Sequence, residues 1–162
     1  MPILLTILRP FAAVVFWAMA RYQRRYGRLP EWYFFRLPKI AVQTACEVLV
    51  MRGDELLLTK RPADDPYWPS QWHFPGTLIR LADDEASIMR RLARELGVDA
   101  LPSRPVLHAT ELWTNERGRH LHVFYRMDVP TDATFPEGTF FPLAALPGDM
   151  IAYQREQLHR VR

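Results

Sequence analysis

The 162-residue sequence has a single cysteine, Cys46. That excludes an internal disulfide and any zinc site built from the cysteines of one chain, and it fits a reducing compartment, the cytoplasm. Lysine is nearly missing. Lys39 and Lys60 are the only two, so arginine carries the positive charge. Carboxylates are missing from the first 30 residues altogether. Residues 1–46 hold seven basic side chains against Glu31 alone, a net +6, whereas 47–162 hold 14 basic and 17 acidic, a net −3. The excess therefore sits in a leader, and the remainder lacks the basic balance that a nucleic-acid partner requires. Long apolar runs are missing too. The longest, 11–20, is about half of what a spanning helix needs, and Arg9 interrupts the approach to it. A cleaved secretion signal carries its charge before the apolar stretch, but here Arg21, Arg24, Arg25 and Arg28 follow it.

What is present is ordinary globular composition, 49% hydrophobic and 24% charged, enough for one real core. The expected division is a leader over 1–39 and one domain over 40–162. Within the leader, Pro10 suits a first helical turn, and Phe11, Val14, Val15, Ala18, Tyr22 and Tyr26 recur at three- and four-residue intervals. This predicts an amphipathic helix. Its apolar face has two expected destinations, the domain itself or a twin subunit on one side, and an anionic membrane surface held by Trp17 and the arginines on the other. The second would place the protein at the inner face of the membrane.

Residues 40–51, rich in Val, Leu and Ala, the turn residues Arg52-Gly53-Asp54-Glu55 and Leu56-Leu57-Leu58-Thr59 read as a β-hairpin. Residues 62–76 carry Pro62, Pro66, Pro69, Pro75 and Gly76 among Tyr67, Trp68, Trp72 and Phe74, an aromatic loop expected to pack on its own core. Residues 83–96 read as a helix. Asp83, Asp84 and Glu85 supply charge at its start, Ala86, Met89, Leu92, Ala93 and Leu96 form an apolar stripe, and Gly97 stands at a left-handed C-cap. Pro105–Trp113 and His120–Asp128 predict a second hairpin around 115–118. Thr139–Pro142 predicts a short strand, and Met150–Val161 a closing helix capped by Asp149. The order is mixed α/β. No His-x-x-x-His pair points to zinc, and His120 and His122 are expected on an exposed strand face.

From Gly76 to Val98 the sequence resembles the Nudix box, G-x5-E-x7-R-E-U-x-E-E-x-G-U with U aliphatic. Gly76, Arg90, Leu92, Glu95, Gly97 and Val98 fall in register without a gap. The flanks match as well: 56–61, ending in Arg61, is similar to the strand before the box, and Trp72-His73-Phe74-Pro75-Gly76 to its W-x-x-P-G approach. The resemblance implies a Nudix-like α/β/α sandwich around a mixed sheet, and a site where helix carboxylates hold magnesium against a diphosphate. At three positions the sequence departs from the pattern. Ala82, Arg91 and Arg94 replace glutamates, so the face shared by 91, 94 and 95 changes from −3 to +1.

Such a face repels a divalent cation, and a guanidinium cannot act as a general base because it stays protonated. The expected function is binding of a phosphorylated small molecule of nucleoside-diphosphate type, with little or no magnesium-dependent hydrolysis and no cofactor required. Arg91, Arg94, Arg61 and Gly76 are the expected binding residues, and Glu95 the one remaining catalytic or metal-binding candidate. Two alternatives stay open. One is a diverged hydrolase that uses magnesium on Glu95 with carboxylates from outside the box; the other is a non-catalytic scaffold docked through 3–28.

Overall fold

The computed structural model describes residues 2–27, 29, 30, 33, 36, 41–80 and 82–161. Helix α1 spans Pro2–Tyr26; strands β1 (Gln43–Arg52), β2 (Glu55–Lys60), β3 (Trp72–His73) and β4 (Gly76–Leu78) precede helix α2 (Glu85–Glu95). Strands β5 (Val106–Asn115), β6 (Gly118–Asp128) and β7 (Gly138–Pro142) then lead to helix α3 (Ala152–Val161).

The seven strands form one mixed sheet of order β3-β2-β1-β6-β5, with β4 paired to β1 and β7 to β2. β1 and β2 form an antiparallel hairpin in which Arg52 faces Glu55, and β5 and β6 a second in which Asn115 faces Gly118. The two hairpins join through β1 and β6, which run parallel from Gln43↔His120 to Met51↔Asp128. β1 is buried from Ala45 to Met51 because both sheet faces are covered, which explains why six of these seven residues are apolar and leaves Glu47 as the exception. Alternation divides its side chains. Leu49 and Met51 join Leu56, Leu58, Phe74, Phe124, Leu158 and Val161 on the α3 face, while Val48 and Val50 join Leu57, Leu92, Leu96, Met127 and Phe135 on the α2 face. The architecture is the expected α/β/α sandwich.

α2 is two residues shorter at its start than the charge pattern suggests. Asp84 is its N-cap and forms a capping box with Ser87, each side chain bonded to the other's backbone N–H. The C-terminus closes as expected, with Val98 N–H on the Ala93 carbonyl, Gly97 N–H on that of Arg94, and Gly97 at φ +72°. Leu92 and Leu96 are fully buried, each contributing roughly 1.5–3 kcal/mol. α3 begins after Ile151 rather than at Met150, because Met150 bridges to Trp72. Asp149 therefore does not cap it: its carbonyl accepts from the Trp72 N–H and its carboxylate lies 4.0 Å from Lys60.

α1 starts at Pro2, so Pro10 lies inside the helix and not at its first turn. Its expected apolar stripe does not pack on the domain. Phe11, Val14, Val15, Ala18, Tyr22 and Tyr26 are exposed, and among residues 10–26 of the helix only Met19, Ala20 and Gln23, on another side, are half-buried. No helix among the described residues is long and apolar enough to cross a membrane.

Gly97→Ala tests the α2 terminus. The new Cβ would be held at positive φ, 2.9 Å from Glu137 Cγ and 3.1 Å from Pro136 Cβ. A loss of about 1–2 kcal/mol is expected in urea denaturation.

Candidate functional site

An open cleft of about 1000 Å³ lies where β1, β4, the loop after β2, the C-terminal turn of α2 and the start of α3 meet. Its floor is set by Gly76, which faces Glu47 across the β1–β4 pairing. A Cβ at Gly76 would sit 3.0 Å from Glu47 Cγ and 3.1 Å from the Cys46 carbonyl, so glycine lets the two strands close. Glu47 is buried beneath it. One carboxylate oxygen accepts from Gln154 Nε2 at 3.0 Å and lies 3.2 Å from His122 Nδ1, while the Gln154 carbonyl oxygen accepts from the Phe74 N–H at 2.9 Å.

Glu95 enters the cleft from the last turn of α2, where Oε1 lies 3.8 Å from His73 Nε2. Burial pushes its carboxyl up to about 7, against the opposing pull of Arg61 and a hydrogen bond from the Gly76 N–H. His73 is pushed the other way, down to about 4, by its own burial and then by Arg61, so it is neutral at physiological pH. Its Nε2 lies 3.2 Å from the Thr59 hydroxyl. His120 is likewise held down near 4 by burial and by His122.

The opposite wall is built by Asp65. It accepts from the Tyr67 and Trp68 backbone N–H groups and pairs with Arg61, Nε at 2.7 Å, and with Arg117 at 3.3 Å. Burial alone would raise its carboxyl, but these donors hold it below the usual range. Trp68 is buried under Arg117 and Tyr153, with ring or guanidinium distances of 4.6 and 5.4 Å, so the aromatic loop packs on its own core as expected.

Of the expected binding residues, Arg61, Gly76, Arg94 and Glu95 line this cleft. Arg91 does not. Its Nη2 donates to Asp83 at 2.5 Å and to the Leu78 carbonyl at 3.0 Å, so the guanidinium is turned back along the helix into a nearly buried ion pair. The pair of arginines converging on one anion is corrected to a single residue, Arg94, which is exposed and has no carboxylate partner among the described residues. Asp83 and Asp84 are spent on Arg91 and on the helix cap. Glu111 pairs with Arg160 outside the cleft.

The sequence reading missed Glu47, Arg117, Tyr153 and Gln154, and it misplaced His120 and His122, which are buried in the cleft wall rather than exposed. The available signal was Glu47, one carboxylate inside an otherwise apolar strand.

The donors decide whether magnesium fits. Mg²⁺ demands near-octahedral oxygen ligation. The α2 face offers one carboxylate that holds its proton to about 7, beside Arg94, and among the described residues no three His, Cys, Asp or Glu side chains are placed to hold an ion together. The residues present do not fit the group.

Glu95 also carries a stability signature. Between its ordinary value of 4.5 and about 7 the folded state keeps a proton that the unfolded chain has lost, so its contribution falls as pH rises through that window. Glu95→Gln should match the parent at pH 4 and exceed it by about 1–2 kcal/mol at pH 8 in urea denaturation. The gain is smaller than the full shift implies because about a third of the side chain is in solvent.

The NUDIX domain family matches residues 42–161. No curated protein matches the chain. Among solved structures, the MutT NUDIX hydrolase from Burkholderia pseudomallei is similar at TM-score 0.60 and 20% identity, over 75% of this chain and 99% of that one. The MutT protein from Methanosarcina mazei Go1 is similar at TM-score 0.57 and 14% identity, over 74% and 92%. The NUDIX domain of Shewanella oneidensis NrtR, complexed with ADP ribose, is similar at TM-score 0.53 and 20% identity, over 75% and 90%. At these identities the structures speak for the fold, and the family match over most of the chain speaks for membership. The chain belongs to the Nudix family.

Proposed function

We propose that the protein binds a phosphorylated small molecule of nucleoside-diphosphate type in the cleft, with little or no magnesium-dependent hydrolysis. The observation that carries this reading is the composition of the α2 face. Where the box resemblance implies carboxylates around a metal, the cleft presents Arg94, without a carboxylate partner among the described residues, and Glu95 with a raised carboxyl. A guanidinium offers phosphate oxygens both positive charge and paired N–H donors in a plane, which is what the metal would otherwise supply electrostatically. Arg61 lies across the cleft, fixed in direction by Asp65.

Glu95 and neutral His73 add pH dependence to this reading. A protonated Glu95 can donate to a phosphate oxygen, whereas its carboxylate repels one, so anion binding is favoured below about pH 7. The NrtR domain was seen with ADP ribose, a nucleoside diphosphate joined to a second sugar, which makes that compound the first probe to use.

Titration calorimetry with ADP-ribose in EDTA is the test. Arg94→Ala should weaken binding by roughly 1.5–3 kcal/mol, and added salt should weaken it further. Arg91→Ala should instead lower the melting temperature and leave affinity unchanged, since its guanidinium serves Asp83 and Leu78. Turnover of ADP-ribose with Mg²⁺ or Mn²⁺ would establish the diverged hydrolase in place of this reading. Neither binding nor turnover would leave the scaffold.

A further inference from the structure

The feature that the cleft leaves unexplained is the outward side of α1. Phe11, Val14 and Trp17 are each more than 60% exposed, and Val15 and Tyr26 are more than half exposed. A contiguous apolar face of this kind on a helix marks an interaction surface. Its chemistry is specific. Arg21 lies 5.8 Å over the Trp17 ring, Arg25 5.7 Å over the Tyr26 ring, and Tyr22 and Tyr26 are 4.5 Å apart, so aromatic rings and guanidinium groups alternate toward the C-terminal end of the helix.

We infer that α1 docks the protein on an anionic lipid bilayer. The apolar side chains Phe11, Val14, Val15 and Trp17 enter the acyl boundary, and Arg21, Arg24 and Arg25 meet the phosphate groups. Charge chooses this occupant over a second copy of the chain. The first 30 residues contain five arginines and no carboxylate, so a twin α1 would bring positive charge to positive charge and offer no ion pair. A bilayer containing anionic lipid offers phosphate at every headgroup. Spanning is not the mode, because no described helix is long and apolar enough. A 25-residue helix lies flat over about 37 Å instead. Met19, Ala20 and Gln23 are the half-buried side of the helix, and Gln23 and Leu29 reach the rim of the cleft. Docking therefore brings the cleft mouth close to the lipid surface.

Co-sedimentation of the full chain with vesicles of phosphatidylcholine, with and without phosphatidylglycerol, tests the inference. Binding is expected only to the vesicles containing phosphatidylglycerol, with release by high salt and a blue shift of tryptophan fluorescence that Trp17→Phe removes. Each of Arg21→Gln, Arg24→Gln and Arg25→Gln should lower the partition coefficient about fivefold. Phe11→Glu with Val14→Glu should abolish binding while the thermal melt of the domain persists, which separates lost docking from lost folding. Equal binding to both vesicle types, or binding to neither, would overturn the inference. So would a concentration-dependent dimer that ignores vesicles and dissociates in the Phe11→Glu/Val14→Glu variant.

Discussion

A carboxylate in the middle of a strand covered on both faces must be given polar neighbours, and Glu47 meets them from two directions. Gln154 reaches it from α3 and His122 from the neighbouring strand β6, while Gly76 on β4 leaves the space in which the side chain lies. Losing the Gln154 contact would leave a buried polar group unpaired, and a side chain at Gly76 would push two strands apart, costs that the apolar neighbours Val48 and Leu49 cannot offset. The sheet, the closing helix and the cleft floor are thus held to one geometry by one polar cluster. Gln154 extends that cluster to the Phe74 backbone, which fixes the entry of the chain into β4.

The wall facing α2 is built on the same economy of charge. Asp65 organises the aromatic loop by accepting two backbone N–H groups and holding Arg61 and Arg117. Arg117 comes from the β5–β6 turn, so a hairpin distant in sequence is tied to the loop after β2. Trp68 is sealed beneath it by Tyr153. The aromatic side chains of this loop therefore act through rigidity. They hold the arginines in direction and leave the open part of the cleft to charged and hydrogen-bonding groups.

Much of the fold was legible because local patterns and burial agree. The two hairpins, the stripe of Leu92 and Leu96 and the Gly97 terminus follow from period, turn chemistry and capping, and the long box spacing places the chain in its family. The site was less legible because it depends on where long side chains end. Spacing places Arg91, Arg94 and Glu95 on one face, but helical side chains lean toward the N-terminus, and Arg91 follows that lean to Asp83 and Leu78. His120 and His122 alternate with outward positions as a strand pattern requires, yet the sheet is covered on both sides, so alternation did not mean exposure. Asp149 looked like a cap, but β3 claims its carbonyl. Glu47 and Gln154 are 107 residues apart, and no local pattern connects them.

The replacement of box glutamates by arginine has two consequences of different kinds. Arg91 ties the start of α2 to the end of β4 through Asp83 and the Leu78 carbonyl, and one turn further on Glu95 takes a hydrogen bond from the first residue of β4, Gly76. These two contacts, both from the C-terminal half of the helix, clamp it to the two ends of the short strand. The residue that in the family pattern would bind metal has become a brace, and the carboxylate that remains is held where burial favours its protonated form. Arg94 stands apart from the clamp, exposed at the cleft, where its charge is not neutralised by a described carboxylate. On the proposed reading, an anion arriving there would meet a wall whose other charged groups are already fixed, so binding would demand little reorganisation, and the affinity gained would rest on a guanidinium that the fold does not otherwise need.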